Sequence, residues 1–423
     1  MSSNFKTRLS LTFRSLRQHN YLIWALGALV SNIGTWMQRI AQDWLVLTSL
    51  TAHSGATVGI VMALQFGPPI LLIPWTGRVA DHFDRRSVLL FTQSAMGLTA
   101  LGLGLLVIAG AVELWHVYVF AALTGCATAF DSPVRQTFVA ELVGDDDLPN
   151  AVALNATFFH SARLIGPAVA GVLINVIGTG WVFILNALSF VAVIFALMNL
   201  RVDDLHAPHM GSSAAGRSSS GFSYIRRRPD LVIALIMLFI IGTYGLNFPI
   251  FISTMSVSAF GGGPHLYGSL SSAMAIGSVT GALLVAGRRK PDIRILIVSA
   301  LGFGLVGTLA AVMPSALTFG LILVVLGVIA QIFTTSTNSL VQLSTAPEMR
   351  GRVMAIYMGI FLGCTPLGAP LVGWIADHFG PRSALMAGAA SGFVAAVLGM
   401  ILRSAQRRST SSGAEQTFSR LRD

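Results

Sequence analysis

Four charged side chains lie inside long apolar stretches of this chain, where an unpaired charge is costly. They are Arg39, Asp43, Asp131 and Arg163, all in the first half of the sequence. A charged side chain at the centre of a membrane-spanning helix costs about 2.5–3.5 kcal/mol on insertion scales, so each needs a partner or contact with water. A carboxyl group in such surroundings can exchange a proton near neutral pH. We predict that Asp43 and Asp131 couple protons and that Arg39 and Arg163 tune them.

Sequence spacing predicts how these charges pair. Arg39 and Asp43 are four residues apart, as are Asp131 and Arg135, so each pair can meet on one helix face. Arg163 has no acidic neighbour nearby in sequence, and we place it at the same depth as Asp131 on the next helix. We therefore expect an Asp131–Arg163 pair between helices. The alternative to proton coupling is a set of permanent ion pairs that only lock helices together.

Polar residues recur at helical spacing in the first, fourth, seventh and tenth apolar stretches. Because a polar group facing lipid is costly, each stripe must face protein or water. Four stripes at equivalent positions of a three-helix period favour one shared polar cavity, and hydrogen bonds between neighbouring helices are the alternative. The predicted substrate-contacting residues are Asn32, Trp36, Thr128, Asn247, Phe248, Gln331 and Asn338.

These residues require helices that cross a bilayer. Hydrophobic residues make up 54% of the chain and charged residues 10%, which leaves little material for a soluble domain. Roughly 20 apolar residues of helix span the hydrocarbon core, and lipid cannot satisfy exposed backbone groups. We predict an all-α membrane protein with spans near residues 21–48, 55–77, 87–110, 114–140, 150–177, 180–200, 230–257, 266–287, 293–313, 315–343, 352–376 and 383–402.

The twelve predicted spans divide into two halves of six, separated by a segment rich in Ser, Gly and Ala. An offset of 202 residues brings Gly166, Gly171 and Gly178 onto Gly368, Gly373 and Gly380, as expected for the parallel repeats of secondary transporters. We predict two pseudo-symmetric six-helix bundles. Their bounds are 1–200 for the N-terminal bundle, 201–229 for a cytoplasmic linker, 230–403 for the C-terminal bundle and 404–423 for a cytoplasmic tail.

The distribution of basic residues predicts the orientation. Of the 27 Lys and Arg residues, 24 lie in the two tails and in alternate loops, which indicates that both termini are cytoplasmic. The net charge of +10 is spread as clusters that flank spans, so nucleic-acid binding is excluded. Cys126 and Cys364 stand in apolar helices without ligand-like neighbours, and we predict neither a disulfide nor a metal site.

The loop between the second and third spans, GRVADHFDRR at residues 77–86, resembles a motif of the major facilitator superfamily, G-x-L-a-D-r-x-G-r-r. Gly77, Ala80, Asp81, Arg85 and Arg86 match the pattern, whereas Val79 and Asp84 depart from it. The resemblance implies two six-helix bundles that rock about a central site. It also implies that Gly77, Asp81, Arg85 and Arg86 form a conformational latch, in which the aspartate contacts the other half and stabilises the outward-facing state.

Two further segments indicate which group of transporters within this superfamily the chain resembles. LIGPAVAG at residues 164–171 is similar to the antiporter motif G-P-x-x-G-G of drug exporters, through Gly166, Pro167 and Gly171, with Ala170 replacing a glycine. Residues 131–143 resemble the branch that contains enterobactin-type siderophore exporters and macrolide-efflux proteins. The resemblance implies export.

Together these features predict a proton-coupled exporter of amphipathic small molecules in the bacterial cytoplasmic membrane. The expected partners are the substrate, protons and membrane lipids, and we expect a monomer that needs no cofactor. No Ser/His/Asp grouping, nucleotide loop or HExxH pattern is present, so the sequence does not indicate an enzyme. The alternatives are a lipid flippase or metabolite importer of the same fold, and a membrane sensor that transports nothing.

Overall fold

The computed structural model describes residues 14–206, 218–286 and 292–420 of the chain. The secondary structure of these residues is helical, without a strand. One helix corresponds to each predicted span. The helices are α1 (His19–Leu45), α2 (Gly55–Leu71), α3 (Arg85–Ile108), α4 (Leu114–Gly144), α5 (Asp146–Ile177), α6 (Thr179–Met198), α7 (Pro229–Ala259), α8 (Pro264–Val285), α9 (Ile293–Val312), α10 (Ala316–Ser344), α11 (Glu348–Phe379) and α12 (Pro381–Ser404).

Ten of the described helices are long and apolar enough to cross a bilayer on their own. The helix α2 is the eleventh, because it contains Pro68 and Pro69 and continues after a 58° bend as Ile73–Val79. The helix α1 is 27 residues long, and the polar stripe that includes Arg39 and Asp43 makes it less apolar than the others. The predicted all-α membrane fold is confirmed.

Breaks in the helices occur where glycine or proline disrupts the regular backbone. The chain turns from α4 into α5 at Gly144, which has a φ of 69°, and from α11 into α12 at Gly380, which has a φ of 88°. A side chain is strained in this region, so glycine is favoured there. The helix α7 is interrupted at residues 245–247, just before Pro249.

Two six-helix bundles result. In the N-terminal bundle α6 packs against α1 and α3, and in the C-terminal bundle α12 packs against α9 and α8 against α10. Aromatic side chains such as Trp24 and Phe319 are buried between helices. Leu98 and Leu305 point outward and are 67% and 57% exposed, as expected for side chains that face lipid.

The two ends of the molecule differ in charge. We call the end that carries Arg85, Arg86, Arg201 and Arg350 the basic end. The other end carries the loops at residues 51–54, 109–113, 260–263 and 313–315, and we call it the opposite end.

The bundles contact each other through α2 with α11 and through α5 with α8. A side chain at Gly59 of α2 would overlap the backbone of Ala369, and one at Gly373 would overlap the backbone of Gly55. These tight contacts lie in the half of the molecule near the opposite end. Toward the basic end, a side chain at Gly67 or Gly359 would meet no heavy atom within 4 Å, so the α2–α11 contact loosens there.

Candidate functional site

A small cavity of about 50 Å³ lies within the N-terminal bundle. Its walls come from α1, α2, α3, α4 and α6, and Arg39 is the one charged residue among them. Arg39 from the polar stripe of α1 and Thr124 and Thr128 from that of α4 line it. The lining residues are Thr35, Gln38, Arg39, Gln65, Phe66, Pro69, Met96, Thr124, Thr128, Asn186 and Phe190.

Arg39 stacks on aromatic rings and does not form an ion pair. Its Cζ atom lies 4.6 Å from the ring centroid of Trp36 and 5.3 Å from that of Phe66, and the Cζ atom of Arg163 lies 5.5 Å from the same Trp36 ring. Among the described residues no ion pair within 4 Å involves Arg39 or Arg163. Arg39 and Asp43 interact through space, but the expected pair is not in direct contact, since the guanidinium lies against Trp36.

The Asp131 carboxylate is enclosed by donors within its own bundle. Arg135 Nε donates to it at 2.9 Å, Gln93 Nε2 at 2.6 Å and Thr92 Oγ1 at 3.0 Å. Only 5% of the residue is exposed. The expected Asp131–Arg163 pair is wrong, because Arg135 occupies one carboxylate oxygen and the α3 side chains occupy the other.

Asp43 connects the two bundles. The hydroxyl of Tyr267, at the start of α8, donates a 2.6 Å hydrogen bond to Asp43 Oδ2 near the end of α1. Both residues are buried, with 7% and 1% of their surfaces exposed. A hydrogen bond to an ionised acceptor is roughly twice as strong as one between neutral groups. The protonation state of Asp43 is therefore linked to the strength of an inter-bundle contact.

The remaining predicted cavity residues fall into two groups. Thr128 lines the cavity, and Asn32 and Trp36 are half-buried on α1. Asn247 and Phe248 are buried inside the C-terminal bundle, where the Asn247 amide donates to the Thr243 carbonyl at the break in α7. Substrate contact by these two residues is not supported in this conformation, because the helix break uses the amide and the ring packs on other phenylalanines.

The stripe on α10 is half-buried and bonds locally. Gln331 Nε2 donates to Thr335 Oγ1 at 2.9 Å, and Asn338 lies beside Tyr357 of α11. Neither residue reaches the cavity described above. For α7 and α10, hydrogen bonding within each helix describes the observed contacts better than a shared cavity.

The segment at residues 164–171 holds α5 against two neighbours. A Cβ atom at Gly166 would lie 2.5 Å from Trp36 Cβ, and one at Gly171 would lie 2.9 Å from the Pro264 carbonyl oxygen. The Pro167 carbonyl occupies the space that a side chain at Gly268 would need. This antiporter-like segment therefore packs α5 on α1 within its bundle and on α8 across the interface.

The predicted latch loop is anchored within the N-terminal bundle by its arginines. Arg85 forms an ion pair with Glu141 of α4, and Arg86 donates to the carbonyls of Leu197 and Met198 at the end of α6. A side chain at Gly77 would meet open space. The side chain of Asp81 lies outside the described part of the structure, so its latch role stays a prediction.

The structure identifies a second acidic contact that the sequence reasoning missed. Asp377, at the end of α11, accepts hydrogen bonds from Ser54 Oγ at 2.8 Å and from the backbone nitrogens of Gly55 and Ala56 at 2.5 Å and 3.1 Å. It thereby caps the N-terminus of α2 in the other bundle, where a negative charge is favourable.

A repeated pattern is the signal that could have found Asp377. Residues 373–382 read GWIADHFGPR and share Gly, Ala-Asp-His-Phe and the final Arg with GRVADHFDRR at residues 77–86. The final arginines also act alike. Arg382 donates to the Ala311 carbonyl at the end of α9, as Arg86 does to carbonyls at the end of α6.

The fold of two six-helix bundles is shared with transporters of known structure. Residues 10–420 match the family described as transmembrane secretion effector. The chain belongs to this family of the major facilitator superfamily. Its relatives and structural neighbours are transporters and not enzymes, so the predictions of superfamily and of a non-enzymatic protein are confirmed.

Relatives of known name cover most of the chain. The staphyloferrin A transporter of Staphylococcus aureus is 25% identical over 82% of this chain and 87% of its own length. The multidrug efflux pump Tap of Mycolicibacterium fortuitum is 24% identical over 86% and 91%. The enterobactin exporter EntS of Shigella flexneri is 23% identical over 84% and 85%.

Solved structures agree with the fold. The nucleoside transporter NupG superposes with a TM-score of 0.71 at 13% identity, covering 91% of this chain and 99% of NupG. A bacterial homolog of the human lysosomal transporter Spinster, in an inward-facing and unoccupied conformation, gives 0.69 at 15% identity, with coverage of 91% and 95%. At such identities the likeness concerns the fold alone.

Proposed function

We propose that this protein is a proton-coupled exporter of amphipathic small molecules and works by alternating access. The hydrogen bond between Asp43 and Tyr267 is the observation that carries the proposal, because it joins a titratable group to the contact between the bundles. The multidrug efflux pump Tap and the enterobactin exporter EntS among its relatives support the direction of transport. Together with the staphyloferrin A transporter, they support the class of substrate.

Alternating access requires that one end of the interface closes while the other opens. The α2–α11 and α5–α8 contacts, together with Asp377 on the N-terminus of α2, support a closed opposite end. The looser contact at Gly67 and Gly359 supports an open basic end. Rocking of the bundles would exchange these two arrangements. We expect Asp81 to contact the other bundle once the basic end has closed.

The basic end faces the cytoplasm in this proposal, since Lys and Arg are retained on the cytoplasmic side of a membrane. Both termini are then cytoplasmic, and the described conformation is inward-facing. We propose that the protein lies as a monomer in the bacterial cytoplasmic membrane.

Within this scheme Asp43 is the better candidate for proton coupling. Its carboxylate has one described hydrogen-bond donor, Tyr267, whereas Asp131 has three, including Arg135. A carboxylate with several donors and an adjacent guanidinium already has strong hydrogen-bond partners on both oxygens. The geometry of Asp131 therefore favours the permanent ion pair that the sequence left open.

The test uses purified protein in proteoliposomes with an imposed pH gradient and a panel of amphipathic fluorescent dyes. The native protein should move dye against its gradient, and collapse of the proton gradient should abolish this transport. Asp43→Asn should retain dye counterflow and lose the pH-driven component. Glu113→Gln serves as a control, because Glu113 interacts only with its own helix start. Full pH-driven transport by Asp43→Asn would overturn the assignment.

A further inference from the structure

The cluster formed by Arg39, Trp36 and Arg163 is positively charged, and the Asp43 carboxylate acts on Arg39 without contacting it. The two guanidinium carbons lie 4.6 Å and 5.5 Å from the centroid of one indole ring. Neither arginine forms an ion pair within 4 Å among the described residues. Arg39 Nε is buried and has no described hydrogen-bond partner.

The acidic residues near the cluster are engaged elsewhere. Asp43 lies one helical turn from Arg39, but Tyr267 holds its carboxylate. Asp131 is held by Arg135 and by two side chains of α3. The remaining titratable neighbour is His160, whose Nδ1 atom is buried without a described partner and which cannot supply negative charge.

The surroundings of Arg39 have the composition of a small-molecule site. The cavity that Arg39 lines contains neutral polar side chains such as Gln38 and Gln65, and apolar ones such as Phe66 and Phe190. None of its lining residues is acidic. A guanidinium stacked on an aromatic ring keeps its planar set of donors in a fixed orientation, which suits a carboxylate or phosphate.

We propose that the Arg39–Trp36–Arg163 cluster binds the anionic group of the transported molecule, and that the preferred substrates are soluble organic anions with an apolar body. Two half-buried charges inside membrane-spanning helices with no acidic group in contact are costly, and a bound anion offsets that cost. The aromatic rings of Trp36 and Phe66 then contact the apolar body. This inference rests on the proposed function and specifies its substrate class.

Binding can be measured separately from transport. The protein is placed in nanodiscs of phosphatidylcholine, and three probes with one ring system are titrated by calorimetry: naphthoate, naphthamide and naphthylmethylammonium. We expect naphthoate to bind about tenfold more tightly than the cation, because a charge-assisted hydrogen bond distinguishes the two. Equal affinities, or a preference for the cation, would overturn the proposal.

Substitutions locate the effect. Arg39→Gln and Arg163→Gln should each weaken naphthoate binding by about tenfold and leave naphthamide binding unchanged. Arg39→Lys should retain part of the affinity, because it keeps the charge and loses the planar donors. Arg382→Gln is the matched control, since Arg382 also stacks on a ring, that of Phe260 at 6.0 Å, but lies at the opposite end. Size-exclusion profiles and melting temperatures identify any variant that misfolds.

Two further arms separate the competing explanations. Added phosphatidylglycerol should not displace naphthoate, and displacement would assign the cluster to a lipid headgroup and overturn the proposal.

Dye export in proteoliposomes is measured on the same variants. Arginine-dependent naphthoate binding without any export would leave the anion site standing and remove the transport proposal. Export without anion preference would leave the transport proposal standing and remove the anion site.

Discussion

Tyr267 donates a 2.6 Å hydrogen bond to the Asp43 carboxylate, and this contact joins α1 of one bundle to α8 of the other. The neighbouring contact between Gly171 and Pro264 brings α5 against α8 in the same region. A buried acid thus lies where the two halves must separate during alternating access. Loss of this bond should favour separation at the opposite end.

The first prediction concerns Tyr267→Phe. The ring fits the same space, but the carboxylate loses its donor, at a cost of about 1–3 kcal/mol to the closed arrangement. We expect a population that is open at the opposite end to increase by roughly tenfold.

Distances between spin labels measure this change. Ala111 and Gly263 lie in exposed loops at the opposite end, one in each bundle, and accept labels after the two native cysteines are replaced. Tyr267→Phe should add a longer distance to the distribution. Tyr357→Phe is the control, since Tyr357 is also a buried tyrosine but lies beside Asn338 inside the C-terminal bundle. An unchanged distribution for Tyr267→Phe would argue against a closing role for this bond.

The second prediction concerns Asp377→Asn. The substitution removes a negative charge from the N-terminus of α2 and should weaken closure by about 1 kcal/mol, because helix N-termini favour anions. The same label pair should report opening, by a smaller amount than for Tyr267→Phe. Glu113→Gln is again the matched control, because Glu113 caps α4 within one bundle. If Asp377→Asn and Glu113→Gln open the opposite end equally, the effect is not specific to the inter-bundle cap.

The sequence predicted the helices and their grouping because hydropathy depends on side-chain type alone. The small residues at 164–171, which the sequence marks only through their resemblance to the antiporter motif, allow α5 to approach its neighbours closely. The ion-pair partners of the charged residues were harder to predict. Arg163 was expected to meet Asp131, but Arg135, one turn from that acid, and donors on α3 took both of its oxygens.

Contacts between bundles were the least predictable from sequence. Tyr267 is a single tyrosine at the start of α8 and belongs to no stripe, so no spacing connects it with Asp43. Asp377 was accessible in principle, because the Ala-Asp-His-Phe run of the latch loop recurs there. The comparison of halves used an offset of 202 residues, whereas this recurrence lies at an offset of 296. Its role becomes clear only from the antiparallel contact between α2 and α11, which places Asp377 at the N-terminus of α2.

The third prediction tests the packing of α5 on α1. Gly166→Ala would place a methyl group 2.5 Å from Trp36 Cβ and 3.0 Å from the Ile33 carbonyl oxygen, so one helix must shift. Overpacking of this kind costs about 1–3 kcal/mol. We expect a lower melting temperature and weaker cation–π contacts at Trp36. Gly359→Ala is the control, because a side chain there meets no atom within 4 Å and alanine favours the helix. Equal melting temperatures for both variants would contradict the packing assignment.

The fourth prediction separates the roles of the two acids. Asp131→Asn leaves Arg135 buried beside a neutral partner, and removal of one member of a buried pair costs about 3–5 kcal/mol. Thermal unfolding in detergent should therefore show a large loss of stability for Asp131→Asn and a small one for Asp43→Asn, which keeps a hydrogen-bonding group opposite Tyr267. The double variant Asp131→Asn/Arg135→Gln should recover part of the stability, since it removes the unpaired charge as well. A stable Asp131→Asn protein that has lost pH-driven transport would instead return Asp131 to the proton pathway.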